Sequence, residues 1–339
     1  MKYLVTGAAG FIGSHLCQRL VTEGNEVIAI DNFSNYYDVS LKKLRVEKLL
    51  TPLQLKVLSV DISDKSAIDG LFASSKPEVV INLAAQAGVR LPTDQIHKYV
   101  NSNLVGFSNV LESTVSHKIP YFLYASSSSV YGDQASIPYT ESEQNLHPNS
   151  FYGATKLANE LLTPTLIKNS STTARGLRFF TVYGPWGRPD MAYFRMIANV
   201  LSGSEFTLFG DGSVQRDFTY IDDVINLVNL LSKELIGRNS GFFDVVNLGG
   251  GKPTSILNLV QIINNLSGKS VKLTQSIRDI KDVMLTKSDW TYLNSLTNSQ
   301  PNTRIENGIM NTINWAKSIE ILPLLDNWVN NSSKYSTNA

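Results

Sequence analysis

The chain has 339 residues, 42% of them hydrophobic, and a net charge of +1. It can bury one large core or two, and so neutral a balance gives no support for nucleic-acid or membrane-surface binding. Its one cysteine, Cys17, excludes an intrachain disulfide framework, and no apolar run reaches the roughly 18 residues of a membrane span. In chain order, Lys2 to Thr6 is a short apolar run that reads as a buried strand. Gly7-Ala-Ala-Gly10-Phe-Ile-Gly13 follows at once, and Ser14 to Glu23 then carries Leu16, Leu20 and Val21 at helical spacing. A second strand, Glu26 to Ile30, ends in Asp31. Further strands are expected at Leu55 to Val60, Glu78 to Leu83, Tyr121 to Ala125 and Thr173 to Phe179, with helices near 64–74, 93–117 and 151–169. After Gly184-Pro185-Trp186 the elements shorten and Asn and Ser become more frequent, with strands at Phe206 to Phe209 and Asp244 to Asn247.

Alternating strands and helices imply an α/β fold, a Rossmann-type doubly wound parallel sheet with helices on both faces. The change after residue 182 implies a smaller mixed α/β C-terminal substrate domain over 183–330, partly interleaved, with a segment near 215–250 returning to the first domain. Ligands of such sheets bind at the carboxyl ends of the strands. Asp31, Asp61, Ala84, Ser126 to Ser128 and Phe180 to Thr181 all stand at such ends.

Strand, glycine turn and helix are what a dinucleotide site needs, because glycines let the backbone approach a pyrophosphate at a helix N-terminus. The spacing is a G-x-x-G-x-x-G variant, and a glycine turn without a ligand is the competing reading. Asp31 argues against that reading: an acid there accepts both ribose hydroxyls of an adenosine and repels a 2′-phosphate. The first arginine to follow is Arg45, which points to NAD rather than NADP.

Tyr152 and Lys156 stand four residues apart and share one helix face. An ammonium beside a phenol favours the phenolate, as a tyrosine base requires. Alone, the pair also fits a surface helix. The run Ala125-Ser-Ser-Ser-Ser-Val-Tyr131 at a strand end can direct hydroxyls to a substrate and to Tyr152, or satisfy its own loop backbone. His15, His97, His117 and His147 show no ligand-type clustering, so no metal is expected.

The motifs Gly7 to Gly13, Asn82-Leu-Ala-Ala85, Ser126 to Gly132, Tyr152-Gly-Ala-Thr-Lys156 and Leu177-Arg-Phe-Phe180 resemble those of the extended short-chain dehydrogenase/reductase family, and within it the nucleotide-sugar 4-epimerases. The resemblance runs from residue 1 to about 320. Asp31 to Asp38, Ala84 to Arg90 and Thr181 to Met191 are similar to the UDP-glucuronate 4-epimerases in particular. It implies a bound NAD, with Tyr152 as the base, Lys156 at the nicotinamide ribose and Ser127 as the catalytic hydroxyl. It assigns the cofactor to Gly7, Gly10, Phe11, Ile12, Gly13, Asp31, Asn32, Asn35, Asp61, Ile62, Ala84, Ala85, Asn103, Tyr152, Lys156 and Phe179. It assigns the UDP-sugar to Ser126, Ser127, Ser128, Tyr152, Thr181, Arg188, Arg195, Thr207, Phe209, Arg216 and Arg278. Arg278 stands four residues before Asp282, where the family commonly has three. The resemblance further implies a homodimer pairing the 93–117 and 151–169 helices and a place in polysaccharide biosynthesis. A strand beginning at residue 2 leaves no room for a signal peptide, so a cytoplasmic enzyme is expected.

The reaction so implied is transient oxidation of the sugar at C4. With a uronic acid the 4-keto intermediate is a β-keto acid, which loses CO2 when its carboxylate bond aligns with the carbonyl π system. Ser126, Ser127, Ser128 and Thr181 supply neutral donors that can hold the carboxylate out of alignment, with Arg188 nearby. A 4-epimerase of UDP-glucose or UDP-N-acetylhexosamines remains an alternative, as do a dehydratase, a decarboxylase and a non-catalytic NAD-binding regulator. A dehydratase of the family has Asp-Glu after the catalytic hydroxyl, where Ser128-Ser129 stand here. A decarboxylase has an acid near the carboxylate, absent from this serine run. Intact Ser127, Tyr152 and Lys156 argue against a regulator.

Overall fold

The computed structural model describes residues 1–89, 91–277, 283–318 and 320–333. The first half builds β1 (Lys2–Thr6), α1 (Phe11–Thr22), β2 (Glu26–Asp31), α2 (Val39–Arg45), β3 (Val57–Ser59), α3 (Lys65–Ser75), β4 (Val79–Asn82), α4 (Ile96–Tyr99), α5 (Phe107–Ser116), β5 (Tyr121–Ser127), α6 (Phe151–Ile167) and β6 (Thr173–Phe179). The second half builds β7 (Thr181–Tyr183), α7 (Ala192–Ser202), β8 (Glu205–Phe209), β9 (Gln215–Tyr220), α8 (Ile221–Leu235), β10 (Phe243–Leu248), β11 (Pro253–Ser255), α9 (Ile256–Ser267), β12 (Lys272–Ser276), α10 (Thr291–Thr297), α11 (Ile305–Ala316) and α12 (Leu325–Ser333).

Seven parallel strands form one sheet in the order β10-β6-β5-β4-β1-β2-β3. The apolar runs are continuous because both faces are covered. On β1, Tyr3 and Val5 join the core shared with α1 and α8, while Leu4 joins the one under α3 and α5. Burying each such side chain stabilises the fold by about 1.5–3 kcal/mol. The order reverses between β1 and β4, and a crevice opens above their carboxyl ends.

β7 leaves this sheet to pair with β9, which also pairs with β11, and β8 pairs with β12. α8 packs on α1, and β10 adds to the main sheet beside β6. The chain thus crosses between the two parts more than once, with β7 the first strand outside the main sheet.

Two local expectations need correction. The strand expected over 55–60 is confined to Val57–Ser59. The helix expected over 93–117 is composite: a 3-10 turn at Thr93–Gln95, α4, a π-helical segment at Val100–Gly106 and α5. π segments re-aim side chains, and here Asn103 is buried. Its Oδ1 accepts from Gln86 N at 2.8 Å, and its Nδ2 donates to Thr155 Oγ1 at 3.1 Å. The pattern reading also passes over α2, whose N-cap Asp38 accepts from Ser40 N at 2.9 Å.

Candidate active site

A cleft of about 570 Å³ runs from the glycine loop, past Ser127, Tyr152 and Lys156, to Arg188, Arg195 and Arg216. At one end, backbone shape makes the surface. Gly7 adopts a left-handed φ of 70° against Ala84, whose N would lie 2.8 Å from an added Cβ. A Cβ on Gly13 would lie 2.1 Å from Gly7 O. Only glycine lets the turn and the first turn of α1 approach so closely. No side chain caps α1, which leaves its N-terminus to a ligand. Asp31 closes β2: its Oδ2 accepts from Ala9 N at 3.1 Å and its Oδ1 from Phe33 N at 2.7 Å. This cradle of glycines, uncapped helix and carboxylate fits a dinucleotide.

At the centre, β5 delivers the serines and α6 delivers Tyr152 and Lys156. Ser150 caps α6, accepting from Gly153 N at 3.0 Å. Lys156 is buried, donates to Ala125 O at 2.9 Å and sits 5.7 Å from the Tyr152 ring centroid. Burial lowers its pKa from 10.5 to about 8. Burial raises that of Tyr152, and what opposes the rise is the Arg188 charge and the Ser127 hydroxyl. The expected lowering of the Tyr152 pKa by Lys156 is joined to the charge of a bound nicotinamide, and in the protein alone burial prevails. A desolvated amine bonded to a carbonyl does not offset the burial of the phenol, and Arg188 does part of that work.

The serines differ from one another. Ser126 Oγ donates to Glu160 Oε1 at 2.5 Å, and Glu160 is held by Arg178 with bonds of 2.9 and 2.7 Å. With its proton directed inward, Ser126 faces the cleft only as an acceptor, which corrects its expected donor role. Ser127 Oγ bonds Ser129 Oγ at 3.1 Å and accepts from Ser129 N at 3.1 Å. Ser128 and Thr181 line the same stretch, and Phe179 pairs in register with Ser127.

At the far end, charged and aromatic side chains make the surface. Arg188 Nε donates to Asp190 Oδ1 at 3.0 Å, and its guanidinium lies 5.8 Å from the Tyr36 ring centroid. Tyr36 Oη donates to Asp190 Oδ2 at 3.2 Å. Burial acts to raise the Asp190 pKa, but the Arg188 charge together with the hydrogen bonds from Arg188 and Tyr36 holds the carboxyl below its usual value. Arg195 lies 5.8 Å from the Phe206 ring centroid, and Thr207 Oγ1 accepts from Thr274 at 3.3 Å. Phe209 lines the wall, and Arg216 donates to Val283 O at 2.6 Å.

Of the residues expected at the cofactor, Gly7, Gly10, Phe11, Ile12, Gly13, Asp31, Asn32, Ile62, Ala84, Ala85, Tyr152, Lys156 and Phe179 line this cleft. Asn35, Asp61 and Asn103 are not among the lining residues. Asp61 instead accepts from Asn32 Nδ2 at 2.8 Å and Ser63 N at 2.8 Å. All the residues expected at the sugar nucleotide line it except Arg278, which lies outside the described residues. The sequence reading missed Lys42, whose Nζ lies 3.1 Å from Asp31 Oδ1, together with Tyr36, Gln86, Asn149 and Asp190. The two-residue step from Arg188 to Asp190 was the available signal for the last. Among the described residues no cluster of His, Cys, Asp and Glu could hold a metal, and no helix is long and apolar enough to cross a membrane.

Residues 3–249 match the NAD dependent epimerase/dehydratase family. The chain is 38% identical over 322 residues to the UDP-glucuronate 4-epimerase of Thermodesulfobacterium geofontis, covering 94% of this chain and 98% of that one. It is 38% identical to UDP-glucuronate 4-epimerase 1 of Arabidopsis thaliana, with 93% and 76% covered. Its fold matches the UDP-glucuronic acid 4-epimerase of Bacillus cereus, solved with UDP-glucuronic acid and NAD, with a TM-score of 0.86, 34% identity and coverage of 94% and 99%. With the cleft built as above and most of its length matched, the chain belongs to the NAD dependent epimerase/dehydratase family.

Proposed function

We propose that this protein interconverts UDP-glucuronate and UDP-galacturonate by NAD-dependent epimerisation at C4. The observation that carries the reading is one continuous cleft. It joins a dinucleotide cradle to Tyr152 and to a wall of neutral hydroxyls and arginines. NAD, bound along the glycine loop, supplies the reversible acceptor for the C4 hydrogen.

Tyr152 takes the proton from the sugar O4 as C4 is oxidised and returns it to the new O4 after the keto sugar turns over. Its raised pKa keeps the phenol protonated in the protein alone, so the base form depends on positive charge nearby. Arg188 provides part of that charge, and Lys156 orients the cofactor's ribose. Ser127 bridges Tyr152 and the sugar hydroxyl. Gly7, Gly10, Phe11, Ile12, Gly13, Ala84, Ala85 and Phe179 form the cofactor surface. Asp31, fixed by the Ala9 and Phe33 amides, meets the adenosine ribose and disfavours NADP. Ser128 and Thr181 hold the sugar carboxylate out of π alignment and so protect the β-keto acid. Arg195, Thr207, Phe209 and Arg216 hold the UDP. Residues 1–182 with β10 act as the cofactor half and the remainder as the sugar-nucleotide half.

The protein works as a cytoplasmic homodimer in polysaccharide precursor supply. Val105, Leu161, Leu162 and Leu166 leave 41–65% of their surface exposed on the two segments proposed to pair. Light scattering at micromolar concentration should give twice the 37.4 kDa chain mass; a monomer alone would remove this assignment. The functional reading is tested by NMR time courses with a panel of UDP-sugars. UDP-glucuronate should convert to its C4 epimer fastest. Turnover confined to UDP-glucose or UDP-N-acetylhexosamines would replace the substrate, and bound NAD with no turnover would point to a regulator.

A further inference from the structure

Arg45, the last residue of α2, is fully buried and meets four neutral acceptors. Its Nη1 donates to Ala9 O at 3.2 Å and to Tyr37 Oη at 2.6 Å, its Nε to Trp186 O at 2.8 Å and its Nη2 to Gly187 O at 2.9 Å. Among the described residues no carboxylate pairs with it. A buried charge of this kind is costly, and a planar fork of donors offsets the cost by satisfying several acceptors at once. The groups joined here belong to two segments far apart in sequence, the glycine loop and the loop that leads into Arg188. Ala9 is inside the glycine loop, and its N–H is held by Asp31. Trp186 and Gly187 immediately precede Arg188.

The second of these segments needs holding. Trp186 has a left-handed φ of 63°, which a bulky residue rarely adopts. An added Cβ on Gly187 would lie 1.7 Å from Tyr193 Oη. The loop is thus wedged between α7 and the Arg45 fork, and its path sets where Arg188 emerges. Arg188 in turn bonds Asp190 and acts on the Tyr152 phenol.

We infer that Arg45 is a positioning residue that couples the glycine loop to the loop leading into Arg188, so that occupancy of the glycine loop sets the Arg188 loop for the sugar nucleotide, and the reverse. This rests on the functional reading above. Its content is a linkage: each ligand changes the affinity for the other by the same factor. A guanidinium that merely stabilised the fold would weaken both ligands and leave that factor unchanged.

The test uses the full chain carrying Tyr152→Phe, to prevent turnover, with and without Arg45→Met or Arg45→Lys. NAD is titrated by calorimetry in the absence and presence of saturating UDP-glucuronate, and unfolding temperatures are recorded alongside. With Arg45 intact, the sugar nucleotide should tighten NAD binding within the about 5–150-fold range usual for coupled sites. Arg45→Met should bring that ratio close to one. Arg45→Lys keeps the charge but has three donors for four acceptors, and should restore part of the ratio. A folded Arg45→Met protein with an unchanged ratio overturns the inference. So does an Arg45-intact protein in which the two ligands bind independently. If Arg45→Met does not fold, the lysine variant decides, and an unchanged ratio there also overturns it. Failure of the Arg45-intact protein to bind either ligand would instead sink the functional reading.

Discussion

The two ends of the cleft are made of different materials. The glycine-loop end is backbone: Gly7 and Gly13 leave no room for a Cβ, and the walls are peptide groups at the carboxyl ends of β1, β2 and β4. The Arg188 end is side chain: guanidinium, carboxylate, phenol and hydroxyl drawn from β7, α7, β8, β9 and the loops that precede α2 and α7. A backbone site binds a ligand that is the same in every turnover and tolerates almost no substitution. A side-chain site can be retuned residue by residue, which is how one fold comes to serve several sugars. Tyr152 and Ser127 stand where the two meet.

Breaking the junction should have the largest effect. Tyr152→Phe keeps the ring and its packing beside Tyr99, whose centroid is 6.2 Å away. It should lower the rate by about 10²–10⁴-fold while NAD stays bound, as removal of a general base typically does. Retention of more than about a tenth of the wild-type rate would take the base role from Tyr152.

Next comes the side-chain end. Thr181→Ala removes a hydroxyl proposed to hold a charged group, an interaction worth about 1.5–3 kcal/mol, or roughly ten- to a hundredfold in rate. Slower epimerisation should come with a UDP-4-keto-pentose or UDP-pentose visible by NMR. A slower variant yielding only the C4 epimer would leave Thr181 a binding role alone.

The backbone end should respond differently. Gly13→Ala forces a Cβ against Gly7 O and should cost about 1–3 kcal/mol of stability, as overpacking does. NAD should then raise the unfolding temperature less than it does in the wild type. An undiminished NAD-induced shift would show that the loop has room it is not expected to have.

The smallest effect is electrostatic. Burial lowers Lys156 from 10.5 to about 8. Between those values the unfolded chain binds more protons than the folded one, so this residue's contribution to stability rises with pH across that window. Urea midpoints should rise less with pH in Lys156→Met than in the wild type. Parallel pH profiles would show that the amine is not desolvated as described.

The same contrast explains what could be read in advance. A backbone site needs glycines at fixed spacing within a few residues, and strand, turn, helix and terminal acid were all legible between Lys2 and Asp31. The Tyr152–Lys156 pair was legible because one helix turn carries it. Residues that depend on tertiary approach were not. Lys42 reaches Asp31 only because α2 exists, and that short helix, rich in lysine and arginine, shows little apolar periodicity. Ser126 is turned inward by Glu160, 34 residues on, and Tyr36 meets Asp190 across 154 residues. The burial of Tyr152 and Lys156 was not legible either, since spacing shows that two groups share a face but not how dry that face is.

Reversible oxidation at C4 conserves the carbon-bound hydrogen. Turnover of UDP-glucuronate in D2O, followed by proton NMR of the product, tests it most directly. UDP-galacturonate should form with its C4 hydrogen fully retained and no deuterium entering from solvent at that carbon. Product carrying solvent deuterium at C4 would contradict it, because inversion would then proceed by proton exchange at carbon.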